Sequence, residues 1–236
     1  MKIDINCDLG EGMDNDAQLM PYLGSCNIAC GGHYGDVNTM IKAINLAQQH
    51  GVNVGAHPSF PDKENFGRKI MDISRGELQQ TLHQQVTFFQ DTCHKLGVEM
   101  HHIKLHGALY NLAANDAEIA AVVLNVFAAV HADIKIYVPY NSAIAILADD
   151  YFPIVYEAFA DRSYNNDLSL VSRSQNNAVI TDKLLAWQQV SSIINKGKVK
   201  TIEGQMVAIK AETFCVHGDQ ENALDIIQYL HQCLNS

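Results

Sequence analysis

The residues best suited to chemistry stand in short, dispersed groups. Asn6, Asp8 and Glu11 share one stretch, Ile5-Asn6-Cys7-Asp8-Leu9-Gly10-Glu11, in which a glycine adds no bulk between two carboxylates. Four of the eleven histidines, His33, His57, His106 and His217, each sit at the end of a short apolar run, and Lys104 lies two positions before His106. A carboxylate joined by several imidazoles can ligate zinc or a similar metal and activate water. The same groups can work without metal as general base and acid, because imidazole titrates near neutrality. The sequence lacks the tight HExxH spacing that would decide between the two.

Arg68, in Asn65-Phe66-Gly67-Arg68-Lys69, and Lys104 could clamp an anion, with Arg162 and Arg173 as similar cases. Gly31, Gly32 and Gly35, ahead of Asp36, could turn backbone N–H groups towards a phosphate or carboxylate. Plainer uses compete. Asp8 could cap its own turn, Arg68 could be a solvated loop charge, and Cys7 and Cys30 read best as small apolar strand residues. His50, His83, His94, His131 and His231 fall in or beside helical stretches and read as solvent-facing, while His101 could open a strand and cap its backbone. There is no GxSxG elbow, GxxxxGK[ST] loop or strand-linked GxGxxG. Nothing therefore points to a serine nucleophile, and any nucleotide would have to bind in another way.

The elements that must position these groups repeat one unit: an apolar run, a polar turn, an amphipathic helix. Strands are expected at 3–7, 26–30, 52–56, 102–105, 134–138, 154–159 and 213–216. Between them run helical stripes, such as Leu78, Leu82, Val86, Phe89, Cys93 and Leu96 at spacings of three and four. Ser74 with Glu77 predicts a capping box, Asn115 with Glu118 resembles one, and Asp36, Thr181 and Asp219 suit N-caps. Gly51 and Gly97 suit left-handed helix ends. The stretch 197–207 reads as a hairpin inserted before the last strand, turning at Glu203-Gly204.

Strands alternating with helices predict a parallel sheet covered by helices. Seven units without a linker favour an α/β fold closed as a seven-stranded parallel β/α barrel, one domain over 1–236, with a doubly wound open sheet as the rival. In either architecture the site lies at the carboxyl ends of the strands. The candidates cluster there, so scattered sequence positions become one pocket wall.

Composition narrows the partners. The 236 residues carry a formal net charge of −10, which argues against nucleic acid and anionic membrane as partners. No apolar run approaches the roughly 20 residues of a membrane span. Lys2 leads at once into strand-like sequence without an export signal, so the six cysteines read as reduced thiols of a cytoplasmic protein. Cys26 and Cys30 have the wrong spacing for a zinc knuckle.

Longer motifs carry a resemblance. Ile5–Glu11, Asn27-Ile28-Ala29-Cys30-Gly31 with His33 and Gly35-Asp36, Gly55-Ala56-His57-Pro58, Pro61-Asp62 and Phe66-Gly67-Arg68 are similar to the LamB/YcsF family. Lys104 with His106-Gly107-Ala108-Leu109-Tyr110-Asn111, then Phe159-Ala160-Asp161-Arg162, Ser172-Arg173-Ser174 and Cys215-Val216-His217-Gly218-Asp219, extend the likeness over nearly the whole chain. The chain differs from the usual pattern in a short loop at 12–16 and at Gly32, Tyr34 and Leu105.

The resemblance implies a seven-stranded barrel akin to the glycoside hydrolase and deacetylase barrels. It also implies a subunit of a 5-oxoprolinase that opens 5-oxo-L-proline to L-glutamate, with ATP as co-substrate yielding ADP and phosphate. The implied partners are 5-oxoprolinase subunits B and C (PxpB and PxpC), and a homo-oligomer is compatible. Chemistry then assigns Asp8, Glu11, His57, Lys104 and His106 as catalytic. Asn6, His33, Arg68, Arg162, His217 and Asp219 are assigned to substrate, and Asp8, His57 and His106 to a divalent metal if one is used. Two other readings stay open: a stand-alone metal-dependent amide hydrolase or deacetylase, and a non-catalytic binding subunit.

Overall fold

The structure, a computed structural model, describes residues 3–131 and 133–235; Lys2, which entered the amino-terminal reading, lies outside them. Chain order gives β1 (Asp4–Leu9), α1 (Asp16–Leu19), β2 (Ser25–Ala29), α2 (Val37–His50), β3 (Asn53–His57), α3 (Arg75–Lys95) and β4 (His102–Lys104). Then come α4 (Gly107–Asn115), α5 (Ala117–Val130), β5 (Lys135–Pro139), α6 (Ala143–Ala148) and β6 (Ile154–Phe159). Helix α7 (Lys183–Lys196), β7 (Lys198–Lys200), β8 (Met206–Ala208), β9 (Thr213–Cys215) and α8 (Ala223–Leu234) complete the order.

Seven strands close a barrel in the order β1-β2-β3-β4-β5-β6-β9. Every pairing in it is parallel, and β9 seals it by pairing with both β6 and β1. The expected barrel is present and the open sheet is not. The insertion is the predicted hairpin, an antiparallel β7–β8 pair. Among the described residues no single helix is long and apolar enough to cross a membrane.

Period-two alternation splits each strand between two environments. Ile5, Cys7, Leu9, Cys26, Ile28, Val54, Ile103, Ile136 and Phe214 are buried and belong to the apolar cluster that joins the strands to the helices. Asn6, Asp8, Asn27, Lys104, Glu157 and Thr213 are buried too and bond to one another. The bonds Asn6–Glu157, Lys104–Asp8 and Lys104–Glu157 join strands that are not sheet neighbours. These residues therefore fill the lumen. Parallel barrels more often fill it with branched aliphatic side chains; here it is polar.

Capping largely follows the sequence. Ser74–Glu77 forms the full capping box of α3, and Asp36 forms one on α2 with Thr39. Gly51, at φ 66°, ends α2 in the left-handed region that glycine enters without a Cβ penalty. Three cap assignments are corrected. Asp116 rather than Asn115 caps α5, because Asn115 still belongs to α4 and the Asp116 carboxylate accepts from the N–H groups of Glu118 and Ile119. Asp182 rather than Thr181 caps α7 by accepting from Leu184 and Leu185. Asp219 caps nothing, since α8 starts only after Asn222 and the carboxylate is held by arginines. His131 and His231 are half-buried rather than solvent-facing; His231 packs edge-on against Tyr22 and bonds its carbonyl.

Gly55 shows how tightly the lumen is filled. A Cβ there would lie 2.2 Å from the His102 ring, which is itself stacked on Tyr137 at 3.9 Å and has no room to move. Gly55→Ala should therefore destabilise the fold by about 1–3 kcal/mol, the usual cost of overpacking, read as a lowered urea midpoint. An unchanged midpoint would show that the lumen yields.

Candidate active site

Strand ends carry most of the predicted groups into one place. β1 supplies Asp8 and, just beyond it, Glu11; β3 ends on His57; β4 supplies Lys104 and leads to His106. These line a cavity of about 420 Å3 at the carboxyl end of the barrel, together with Arg68, Arg162, His217 and Asp219. Asn6 lies below it in the lumen, where its amide donates to Glu157 and Thr213. His33 stands behind Glu11, its Nε2 2.8 Å from Oε1 of that residue.

Lys104 organises the floor. Its side chain is 2% exposed, and Nζ lies 2.9 Å from Asp8 Oδ1 and 2.9 Å from Glu157 Oε1. Burial alone would lower its pKa, but Asp8, Cys215 and Glu157 outweigh burial and raise it, so the ammonium is retained. The Asp8 carboxyl shows the converse. Burial opposes its charge, and His57 and Lys104 hold it well below the usual carboxylate range. Asp8 Oδ1 also accepts from Asn27 Nδ2 at 2.8 Å, which leaves Oδ2 facing His57 Nε2 at 3.3 Å.

The two central imidazoles have tautomers that follow from their partners. His57 Nδ1 lies 2.9 Å from the Lys104 carbonyl, and His106 Nε2 lies 2.9 Å from the Phe66 carbonyl. A carbonyl only accepts, so both of these nitrogens carry hydrogen. The remaining nitrogens, His57 Nε2 and His106 Nδ1, face each other at 3.0 Å. Glu11 Oε1 stands 3.3 Å from His106 Nδ1 and 3.9 Å from His57 Nε2. Facing lone pairs flanked by carboxylates call for a positive centre, either one shared proton or a metal ion. Asp8, His57 and His106 offer ligand atoms within 4.8 Å of one another, as do Glu11, His33 and His106. The carbonyl-anchored rings are the outer-shell arrangement that ligating histidines use, so this donor set fits a divalent cation.

Around this centre the other groups are tuned. Burial, followed by repulsion from the Asp8 charge, pushes the Glu11 carboxyl up to about 7. Burial, reinforced by His57, brings His33 down to about 2 and also lowers His106, so both rings are neutral. The thiols Cys7, Cys26, Cys30 and Cys215 are all raised by burial, which fits the apolar reading of Cys7 and Cys30.

The mouth is cationic. Arg68 and Arg173 both pair with the Asp219 carboxylate, and Arg68 also lies over the Phe66 ring. His217 is stacked on Phe159, with Nδ1 held 3.0 Å from Asp161. Arg162, expected to contact substrate, has two of its nitrogens engaged: Nε donates to the Ala178 carbonyl and Nη2 to that of Val171. It ties down the loop that carries Ser172 and Arg173.

Residues missed from the sequence are Asn27 and Glu157 as orienting groups and Tyr110 and Phe159 as walls. Asp161 stands just beyond β6 as a polar strand-end residue and holds His217. Asn27 and Glu157 had a usable signal. In β2 and β6 they are polar residues flanked by apolar ones, the same alternation that sets Asp8 and Lys104 into the lumen.

Comparison with known proteins adds an independent line. Residues 3–236 match the model of the LamB/YcsF family. The chain is 39% identical over 237 residues to the A subunit of 5-oxoprolinase from Bacillus cereus strain Q1, covering 98% of this chain and 94% of that protein. The protein of the same name from Bacillus thuringiensis subsp. konkukian strain 97-27 is 38% identical with the same coverage. The crystal structure of a lactam utilization protein from Thermus thermophilus superposes with a TM-score of 0.92 at 33% identity, covering 100% of this chain and 96% of that one.

The raised Glu11 carboxyl makes stability depend on pH with a defined sign. Its folded value, about 7, lies above the ordinary 4.5, so the folded chain binds this proton more tightly than the unfolded chain does. The stabilisation is complete below about 4.5 and is lost as pH rises through about 7. Glu11→Gln is neutral throughout. In metal-free buffer it should gain stability relative to the parent by roughly 2–3 kcal/mol between about pH 5 and pH 8 in urea melts. A difference that stays flat over that range would contradict the assignment.

Proposed function

The chain belongs to the LamB/YcsF family, and from that membership and the geometry of the cavity we propose that it is the A subunit of a 5-oxoprolinase. Its substrate is 5-oxo-L-proline, opened to L-glutamate with ATP converted to ADP and phosphate, in an assembly with subunits B and C. The observation that carries this reading is that acid–base groups and an anion-binding mouth open onto one small cavity. Asp8, His57, His106 and Lys104 line its floor, and Arg68 and Arg173 stand at its entrance. A volume of about 420 Å3 suits a small molecule.

A five-membered lactam is an unstrained, resonance-stabilised amide, and water alone opens it slowly. Transfer of a phosphoryl group to the amide oxygen makes the carbon electrophilic. Water adds to it, and the C–N bond breaks with the ring nitrogen taking a proton to become the free amine. A second water releases phosphate from the resulting acyl phosphate. No phosphate-binding loop motif occurs in this chain, so the nucleotide either binds here in another way or binds to the partner subunits. This chain then holds the substrate carboxylate against Arg68 and Arg173. Asp8, with His57 and His106, takes the proton from the attacking water, and Lys104 keeps Asp8 ionised.

The facing nitrogens of His57 and His106 favour a second reading. Asp8, His57 and His106, with Glu11 beside them, would hold a divalent cation, which when bound supplies Lewis acidity towards water. On that reading the chain hydrolyses an amide without ATP.

One assay separates the two. The purified chain, combined with subunits B and C, should release glutamate and phosphate from 5-oxo-L-proline only when ATP is present. Turnover by the isolated chain without ATP, lost on chelation, would establish the metal hydrolase instead. Asp8→Ala or His106→Ala should reduce kcat by about 100-fold or more while the fold is retained. Arg68→Ala should act mainly on KM, raising it by about tenfold, because it removes an anion contact that is already made in the ground state. Equal losses in kcat and kcat/KM would place Arg68 in the chemical step.

A further inference from the structure

The barrel lumen contains a hydrogen-bonded chain whose direction can be assigned atom by atom. Asn27 Nδ2 lies 2.8 Å from Asn6 Oδ1 and 2.8 Å from Asp8 Oδ1, so the amide nitrogen is the donor to the Asp8 carboxylate. Asn27 Oδ1 is therefore an acceptor, and His102 Nε2, 2.7 Å away, carries hydrogen. Burial keeps His102 neutral, which leaves its Nδ1 as a lone pair. His101 Nδ1, 3.1 Å from that lone pair, must then be the donor. His101 Nε2 is left to accept from Lys135 Nζ at 2.9 Å.

Every bond thus points one way: Lys135 to His101, His101 to His102, His102 to Asn27, Asn27 to Asp8. The chain crosses the barrel from an exposed ammonium at the amino-terminal rim to the carboxylate at the opposite end. It is built in. His102 and Asn27 are fully buried, His102 is stacked on Tyr137 at 9° between planes, and β3 has a glycine, Gly55, where a side chain would strike the ring.

We propose that His102, acting through Asn27, is a positioning residue for Asp8, and that Lys135 polarises the chain from the far rim. The proposal rests on Asp8 being the reactive carboxylate of the proposed reaction. The hydrogen on His102 Nε2 satisfies the Asn27 amide oxygen and holds the amide plane in place. With that donor removed, the buried oxygen has no partner, the amide shifts from its bond to Asp8 Oδ1, and Asp8 Oδ2 loses its alignment with His57. Donors in series also polarise one another, so the charge on Lys135 strengthens the final bond to Asp8.

Two variants of His102 distinguish positioning from packing. His102→Phe keeps the stacked ring and the volume but has no donor, whereas His102→Gln can still donate to Asn27 through its amide. In the assembly with subunits B and C, His102→Phe should reduce kcat by about tenfold or more with KM held within about twofold, and His102→Gln should recover most of the loss. Full turnover in His102→Phe would falsify the proposal.

A spectroscopic arm needs no substrate and no partner. Nitrogen NMR of the isolated chain should show His102 protonated at Nε2 and His101 at Nδ1. Lys135→Met should move the His101 resonances and Lys135→Arg should restore them. The Asp8 carboxyl carbon should shift in His102→Phe and return in His102→Gln. A His102 protonated at Nδ1, or an unmoved Asp8 signal, would overturn the proposal even if His102→Phe lost activity through misfolding. Tautomers and an Asp8 shift as stated, in an assembly that leaves 5-oxo-L-proline intact, would support the positioning chain and reject the substrate instead.

Discussion

The ammonium of Lys104, buried between two carboxylates, is the constraint on which the rest of the site depends. A lone charge in a barrel lumen is prohibitively costly, so Asp8 and Glu157 must approach it from opposite sides. Once they do, β4 is fixed against β1 and β6 across the barrel, and each carboxylate has one oxygen committed. For Asp8 the other oxygen is left facing His57. The backbone of the same lysine adds a second link, because its carbonyl accepts from His57 Nδ1 and sets that ring's tautomer. One residue thus fixes the charge of the floor through its side chain and the orientation of the imidazole through its main chain.

A polar lumen changes what the barrel is for. In an aliphatic lumen the interior supplies stability, and function is confined to the loops. Here Asp4, Asn6, Asn27, His102, Lys104, Glu157 and Thr213 are linked by direct hydrogen bonds below the cavity. Stability is transferred to the outer layer, where Ile28, Val54, Ile103 and Phe214 pack beneath helical stripes such as Leu78, Leu82, Val86 and Phe89. The loops then handle recognition. Arg162 holds two carbonyls of the segment after β6, and this brings Arg173 to the same Asp219 oxygen that Arg68 engages.

How much of this is legible depends on whether a residue acts along the chain or across it. Ser74 and Glu77 cap α3 as expected, because a capping box is complete within four residues. The hairpin of β7 and β8 is equally local. Asp182 displaces Thr181 as a cap through a shift of one position, which propensity cannot resolve. Asp8, Glu11, His57, Lys104 and His106 are visible as polar strand ends, and all five line the same cavity. Asn27 and Glu157 escape a search for apolar runs, because each sits inside one, although the alternation around them already marks a polar face.

Order along the chain was enough to set the alternation of strand and helix, the count of barrel strands and the residue types at their carboxyl ends, since each is written in periodicities of two and of three to four. Folding in three dimensions was needed to settle which nitrogen of His57 and His106 faces inward, that Arg162 serves the loop, and that Glu157 shares the charge of Lys104. The reason is physical. Tautomers and ion pairs are set by partners such as Lys104 and Glu157, or His57 and the carbonyl of Lys104, which lie dozens of residues apart. Their distances exist only after the barrel has closed.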